Sequence, residues 1–152
     1  MAKWLLKTEP NTYSIDDLKK DRTTQWDSVR NYQARNYMQE MSVGDEVFIY
    51  HSNAEPPGIV GIGKIAKSAY PDPTQFDKKS DYFDEKATKD APRWFAPDIR
   101  FVKKFAEVLP LPELRKVKKL SGMELLRKGS RLSVQPVSEA EWKAIVEMVG
   151  NH

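Results

Sequence analysis

Between Trp26 and Tyr37 the chain reads Trp-Asp-Ser-Val-Arg-Asn-Tyr-Gln-Ala-Arg-Asn-Tyr. These twelve residues hold one tryptophan, two tyrosines, two arginines, two asparagines and a glutamine, and only Val29 and Ala34 are aliphatic. Planar rings offer stacking faces, side-chain amides present donor and acceptor together, and guanidinium groups pair with phosphate or carboxylate. Such a mixture suits a flat, polar, anionic ligand better than it fills a core. The stretch is therefore expected to form one wall of a nucleobase pocket. Trp26, preceded by Thr23-Thr24-Gln25 and followed by Asp27-Ser28, is the expected stacking platform. Extruding a base from a duplex costs a few kcal/mol, and stacking on a protein ring returns about 1–3 kcal/mol per base, so one good platform nearly offsets extrusion.

Around that platform, Asn31 can read a base edge, donating and accepting at once, or cap the helix that starts there. Arg30 and Arg35 are set to bind phosphate, or one of them to pair internally with Glu9 or Asp27. Lys7 ends the first strand and meets a phosphate or Glu9. Ser52 follows a strand end, where side chains converge on a pocket mouth, and is expected to read the base edge with Asn31. Trp94 or Tyr82 closes the second side of the pocket from a long loop. Trp4 and Trp142 fit core patterns instead.

Catalytic constellations are missing. The histidines are His51 and His152, and there is no cysteine. Nucleophile–base–orienter sets, phosphate-loop, nucleophile-elbow and His-Glu-x-x-His motifs do not occur. Gly58 to Gly63 has the wrong spacing for a dinucleotide fingerprint. No cofactor or metal site is expected, and the chain reads as non-enzymatic.

The elements that must position the site follow from periodicity. Strands are expected at Lys3–Lys7, Glu46–His51, Ile59–Ala66 and Asp98–Val108, where Ile99, Phe101 and Phe105 share a face with a bulge near Lys103-Lys104. Two glycines inside a strand, Gly61 and Gly63, suggest close approach of another backbone or a bend. Helices are expected at Ile15–Lys20 with Ser14 as cap, at Asn31–Met41, and at Glu139–Val149 behind a Ser138/Glu141 capping box. Thr23–Gln25 belongs to a polar connection, Leu114–Leu126 to short helices, and Arg131–Val134 to a short extended piece ended by Pro136. The irregular stretch Ser68–Ala96 carries six aromatic residues, and structureless loops of that length are often functional. Strands and helices mix without regular alternation, so the fold class is α+β around a curved sheet or small barrel.

A length of 152 residues, with 39% hydrophobic and 31% charged, fits one soluble domain spanning 1–152. The apolar runs are too short to span a bilayer, so no membrane partner is expected. The N-terminus lacks a secretion signal, and the expected compartment is the cytoplasm. Net charge is only +3, but Lys103 to Arg131 holds nine basic and three acidic residues, a local +6 that leaves −3 elsewhere. That asymmetry suits a phosphate backbone, with Arg131 its last contributor.

Several of these segments together resemble the EVE domain: Lys3-Trp-Leu-Leu-Lys-Thr-Glu-Pro10, Trp26 to Asn36, Tyr50-His51-Ser52 before Gly58-Ile-Val-Gly61, Ala69-Tyr-Pro-Asp72, and Arg131-Leu-Ser-Val-Gln-Pro136. The resemblance covers essentially the whole chain in order. It implies a PUA-like pseudo-barrel of mixed strands with flanking helices, related to the YTH readers of methylated adenosine. It also implies a pocket for a modified nucleobase, with modified cytosines in DNA reported for relatives, and it brings Tyr50 and His51 into that site. Ser28 stands where many members have glycine, which restricts the turn after Trp26. The expected function is a reader of a modified cytosine or adenine, in DNA or RNA, with the base flipped out. A sensor of a free nucleotide and an enzyme acting on RNA or a modified base are the alternatives.

Overall fold

The computed structural model describes residues 1–150. His152 therefore lies outside the described residues. In chain order the elements are β1 (Lys3–Thr8), α1 (Ile15–Asp21), β2 (Thr23–Gln25), α2 (Tyr32–Glu40), β3 (Glu46–His51), β4 (Gly58–Pro71), β5 (Phe95–Pro110), α3 (Leu111–Arg115), β6 (Val134–Val137) and α4 (Glu139–Gly150). Short 3-10 turns lie at Pro73–Phe76, Lys118–Leu120 and Glu124–Leu126.

The six strands form one mixed sheet in the order β2-β5-β4-β3-β1-β6. It curls into the open α+β pseudo-barrel that the family resemblance implies. β1 and β3 pair in parallel and the other neighbours run antiparallel. Strand alternation sends Trp4 and Leu6 to one face with Val47 and Ile49, where α1 and α2 cover them through Ile15, Leu18, Ala34 and Met38. Leu5 and Phe48 point to the other face, against Leu114, Trp142 and Ile145. Trp4 and Trp142 are both buried, as expected. The Trp4 indole N–H donates to buried Asp45 at 3.0 Å, and Trp142 stacks on Phe48 with centroids 3.8 Å apart.

Several boundaries differ from the sequence-based expectation. β4 runs on to Pro71 and β5 starts at Phe95, so the irregular stretch shrinks to residues 72–94. The strands survive their prolines because Pro97 falls in the register shift at Lys67/Tyr70, where a missing N–H goes unnoticed, and Pro71 and Pro110 are the last residues of β4 and β5. Thr23–Gln25 pairs with Arg100–Asp98 as a short edge strand rather than a plain connection. The last strand is Val134–Val137 and includes Pro136; it lies on the sheet edge, where proline is tolerated. Phe105 parts from Ile99: a register shift at Ile62/Gly63 turns it to the opposite face, where it joins Leu5 and Phe48.

The expected cap at Ser14 forms as a full capping box, and the expected box at Ser138 forms too. The Ser14 hydroxyl accepts from the Asp17 amide and the Asp17 carboxylate from the Ser14 amide, and Ser138 and Glu141 exchange the same pair of bonds. The first box fixes the entry into α1, and with it the turn carrying Thr12 and Tyr13, which line the cavity described next.

Candidate functional site

Where β1 ends, and beside β2, the surface opens into a cavity of about 380 Å³, within the range usual for small-ligand pockets. Lys7 and Thr8 from β1, Thr12 and Tyr13 from the following turn, Thr24 to Val29, and Tyr82 from the long loop line it. Trp26 is mostly buried, with 8% of its surface exposed, and it belongs to the core cluster below the cavity. Its amide donates to the Pro97 carbonyl at 2.9 Å, and Tyr13 meets it edge to face with centroids 6.1 Å apart. Trp26 is thus a wall residue rooted in the core. Of the residues expected at the site, the cavity collects Trp26, Lys7 and Tyr82.

Lys7 is half-buried. Desolvation lowers its pKa, against the attraction of Glu124, and its ammonium lies 5.8 Å from the Tyr50 ring centre. Tyr13 has its pKa raised to about 12, by desolvation first and then by its hydrogen bond to Asp21, so at neutral pH it presents a neutral O–H and ring.

Behind the lip of the cavity Arg30 is committed internally. Its guanidinium donates to the carbonyls of Val29 and Tyr82, the Thr74 hydroxyl and the Asp72 carboxylate. The expected phosphate contact therefore gives way to an internal pair, and the partner is Asp72 rather than Glu9 or Asp27. Asp72 is 1% exposed and also accepts the Ser28 amide at 2.7 Å and the Thr74 amide at 2.8 Å. Sequence reasoning missed it as a site residue, although Asp-Pro-Thr is a cap signature, with proline at the first position of a helical turn. The buried amide of Gln75 binds the Asp72 and Trp94 carbonyls and the Arg93 and Trp94 amides. A seemingly shapeless loop is thereby held by polar bonds rather than by apolar packing.

The remaining expected residues lie around this centre. The Asn31 Oδ1 accepts from the Ala34 amide at 2.8 Å and caps α2, which takes up its acceptor. Asn31 instead lines a neighbouring cleft of about 340 Å³ with Gln33, Arg127, Lys128 and Arg131. Trp94 lies outside the cavity lining: Tyr32 stacks on it at 5.0 Å, Arg30 and Arg35 approach its ring, and its indole N–H donates to Asp84. Arg35 donates to the Arg93 carbonyl and to Asn36. Tyr50 packs in the core on the face opposite Trp26. His51 accepts the Ile15 amide on Nε2 at 3.1 Å, and Ser52 ties β3 to β1 by donating its amide to the Thr8 carbonyl. None of these three lines the cavity.

The sheet order, the cavity beside Trp26 and the Asp72 anchor define a pseudo-barrel with a pocket at the strand ends. Residues 2–148 match the EVE domain, and the chain belongs to that family. Human thymocyte nuclear protein 1 is 40% identical over 95% of this chain and 72% of its own length. Among solved structures, a protein from Pseudomonas putida superposes with a TM-score of 0.95 at 49% identity, covering 97% of this chain and 99% of that one. The human THYN1 protein in complex with 5-methylcytosine-containing DNA superposes at 0.90 with 39% identity, covering 98% of each chain.

Proposed function

We propose that this protein is a non-catalytic reader of a modified base in nucleic acid, and that the base leaves its stack to enter the cavity beside Trp26. The observation that carries the reading is the complex of the human relative with 5-methylcytosine-containing DNA. The cavity supports it: the rings of Trp26 and Tyr13 line it together with polar groups from Thr24, Gln25 and Asp27 and with Tyr82, which is 43% exposed. Stacking in such a pocket tolerates any base, so selectivity falls to edge contacts and to the space around the ring.

Phosphate contacts fall to Lys7 on the rim and to Arg127, Lys128 and Arg131 around the adjoining cleft. Arg30 serves as the clamp that holds the Tyr82 loop over the cavity. Asn31 contributes its amide N–H₂, since its oxygen is the cap. A sensor of free nucleotides is the second reading, supported by the cavity alone.

The test is a binding screen of oligonucleotides with and without base modifications. Trp26→Ala is expected to weaken binding of the modified oligonucleotide by roughly 5- to 150-fold, the equivalent of about 1–3 kcal/mol of stacking, and with it the discrimination that only a seated base allows. Because Trp26 also roots the core, and truncating a buried tryptophan costs about 3–5 kcal/mol, Tyr82→Ala is the companion variant on an exposed loop. Trp26→Phe is expected to retain part of the effect. Full discrimination in a folded Trp26→Ala protein removes Trp26 from the mechanism, and binding of free nucleotide without oligonucleotide binding favours the sensor.

A further inference from the structure

Among the side chains lining the cavity, Asp27 is the one carboxylate, and none of the described ion pairs includes it. Its Oδ1 accepts the Ser28 hydroxyl at 3.0 Å. Ser28 is itself locked in place: its φ is +68°, a left-handed conformation that costs a residue bearing a Cβ about 1–2 kcal/mol, and its amide is anchored on buried Asp72. A strained residue on a buried anchor thus holds one oxygen of Asp27. The other oxygen, Oδ2, has no partner among the described hydrogen bonds.

Bases divide by what their pairing edge presents. Cytosine and adenine show an exocyclic amine beside a bare ring nitrogen, a donor next to an acceptor. Thymine shows a ring N–H beside carbonyls, and guanine shows a ring N–H beside an amine. An ionised carboxylate presents acceptors alone. It matches the two donors of guanine, and it meets the bare ring nitrogen of cytosine or adenine only once a proton lies between them. A carboxyl carrying that proton, like an amide, presents donor and acceptor side by side and pairs with the cytosine, adenine and thymine edges alike.

We propose that Asp27 reads the pairing edge of the base in the cavity, and that it holds a cytosine or adenine derivative by sharing a proton between Oδ2 and the ring nitrogen. The Oδ2–H donates to that nitrogen, and Oδ1 accepts from the amine while keeping the Ser28 hydroxyl. One proton is taken up from solvent for each base bound. This inference rests on the base-reader function proposed above. A substituent on carbon 5 of cytosine leaves the paired edge unchanged, so Asp27 holds the base edge and other cavity walls sense the modification.

The surroundings move the carboxyl toward its protonated form, although Asp27 itself is exposed. Desolvation raises the Asp27 pKa from its ordinary value and the charge of Asp72 adds to this, against the Ser28 hydrogen bond and the Arg30 guanidinium. Tyr70 on β4 also feels the Asp27 charge, and Lys7 and Tyr13 line the same cavity.

The experiment measures affinity for single-stranded oligonucleotides carrying one 5-methylcytosine, cytosine, guanine or thymine, at fixed salt, between about pH 5.5 and 8. For the 5-methylcytosine probe the wild type is expected to weaken by up to about tenfold per pH unit above the carboxyl pKa, the limit for uptake of one proton. Asp27→Asn, whose amide always presents donor and acceptor, is expected to keep binding the 5-methylcytosine probe and lose the pH slope. Asp27→Ala is expected to bind that probe weakly at every pH. A flat wild-type profile, a slope that survives in Asp27→Asn, or undiminished 5-methylcytosine binding in Asp27→Ala overturns the role of Asp27 alone. A folded wild type that binds none of the four probes overturns the reader, and the role of Asp27 with it.

Discussion

At the scale of single residues, chemical type was legible and commitment to a partner was not. Trp26, Lys7 and Tyr82 line the cavity, but Arg30 and Asn31 have their strongest donors and acceptors taken by Asp72 and by the Ala34 amide. Nothing local to Arg30 names a carboxylate forty-two residues away. His51 shows the same limit and yields a prediction. Its Nε2 accepts the first amide of α1, one of the donors that a helix leaves without an internal partner. Protonation would remove that acceptor and place a cation at a helix N-terminus, where charge of that sign is unfavourable. Desolvation lowers its pKa from the usual 6.5, with Asp16 acting against it and Lys104 with it. The folded value lies below the unfolded one, so between them the unfolded chain binds more protons. The contribution to stability is then complete above about pH 6.5 and is lost as pH falls through the folded value. Denaturation midpoints are expected to drop between about pH 7 and 5, and His51→Gln, which keeps an acceptor, is expected to flatten that portion. An identical slope in His51→Gln would place the acid sensitivity in another group.

At the scale of elements, strand cores and helix caps were readable because they depend on neighbours in sequence. Alternation at β1 and β3 and the Ser14 and Ser138 boxes are local signals, and all four formed. What failed were features decided by a distant partner. Thr23–Gln25 becomes a strand only because β5 offers Asp98–Arg100, and Pro136 stays within β6 only because β6 is an edge. The glycines of β4 did carry a readable message, close backbone approach, and the geometry gives it a magnitude. A methyl group on Gly61 would stand 2.4 Å from the Lys103 carbonyl oxygen and 2.9 Å from the Ile15 Cδ1. The first is backbone and cannot swing away. Gly61→Ala is therefore expected to cost about 1–3 kcal/mol, as overpacking does, lowering the melting temperature by about 2–4 °C per kcal/mol for a chain of this size. At Gly122 the same methyl group meets nothing within 4 Å, so Gly122→Ala is the control, expected to leave the melting temperature within about one degree. Equal melting of the two variants would mean that β5 yields freely beside Gly61.

Across the whole molecule, the basic run from Lys103 to Arg131 looked like a single phosphate-binding surface, and the fold divides it. Lys104 pairs with Asp16 and Lys116 with Glu113. Lys118 and Lys119 sit on the turn that packs with α4, on the side of the sheet opposite Trp26. Arg127, Lys128 and Arg131 gather at the cleft that also holds Asn31, two residues beyond the cavity residue Val29. Charge counts along a chain cannot reveal this division, because it follows from which face of the sheet each connection crosses. If the proposed reader holds its nucleic acid at that cleft, affinity depends on salt through the phosphates those side chains neutralise, with a slope of about −0.7 to −0.9 per contact in log K against log salt. Replacing Lys128 and Arg131 together by alanine is expected to flatten the slope by about 1.4 to 1.8 and to weaken modified and plain oligonucleotides alike, since phosphate contacts carry no base information. The pair Lys118→Ala and Lys119→Ala is expected to leave the slope in place. A slope that responds to the second pair and ignores the first would move the backbone track to the α4 side of the sheet and separate it from the Trp26 cavity.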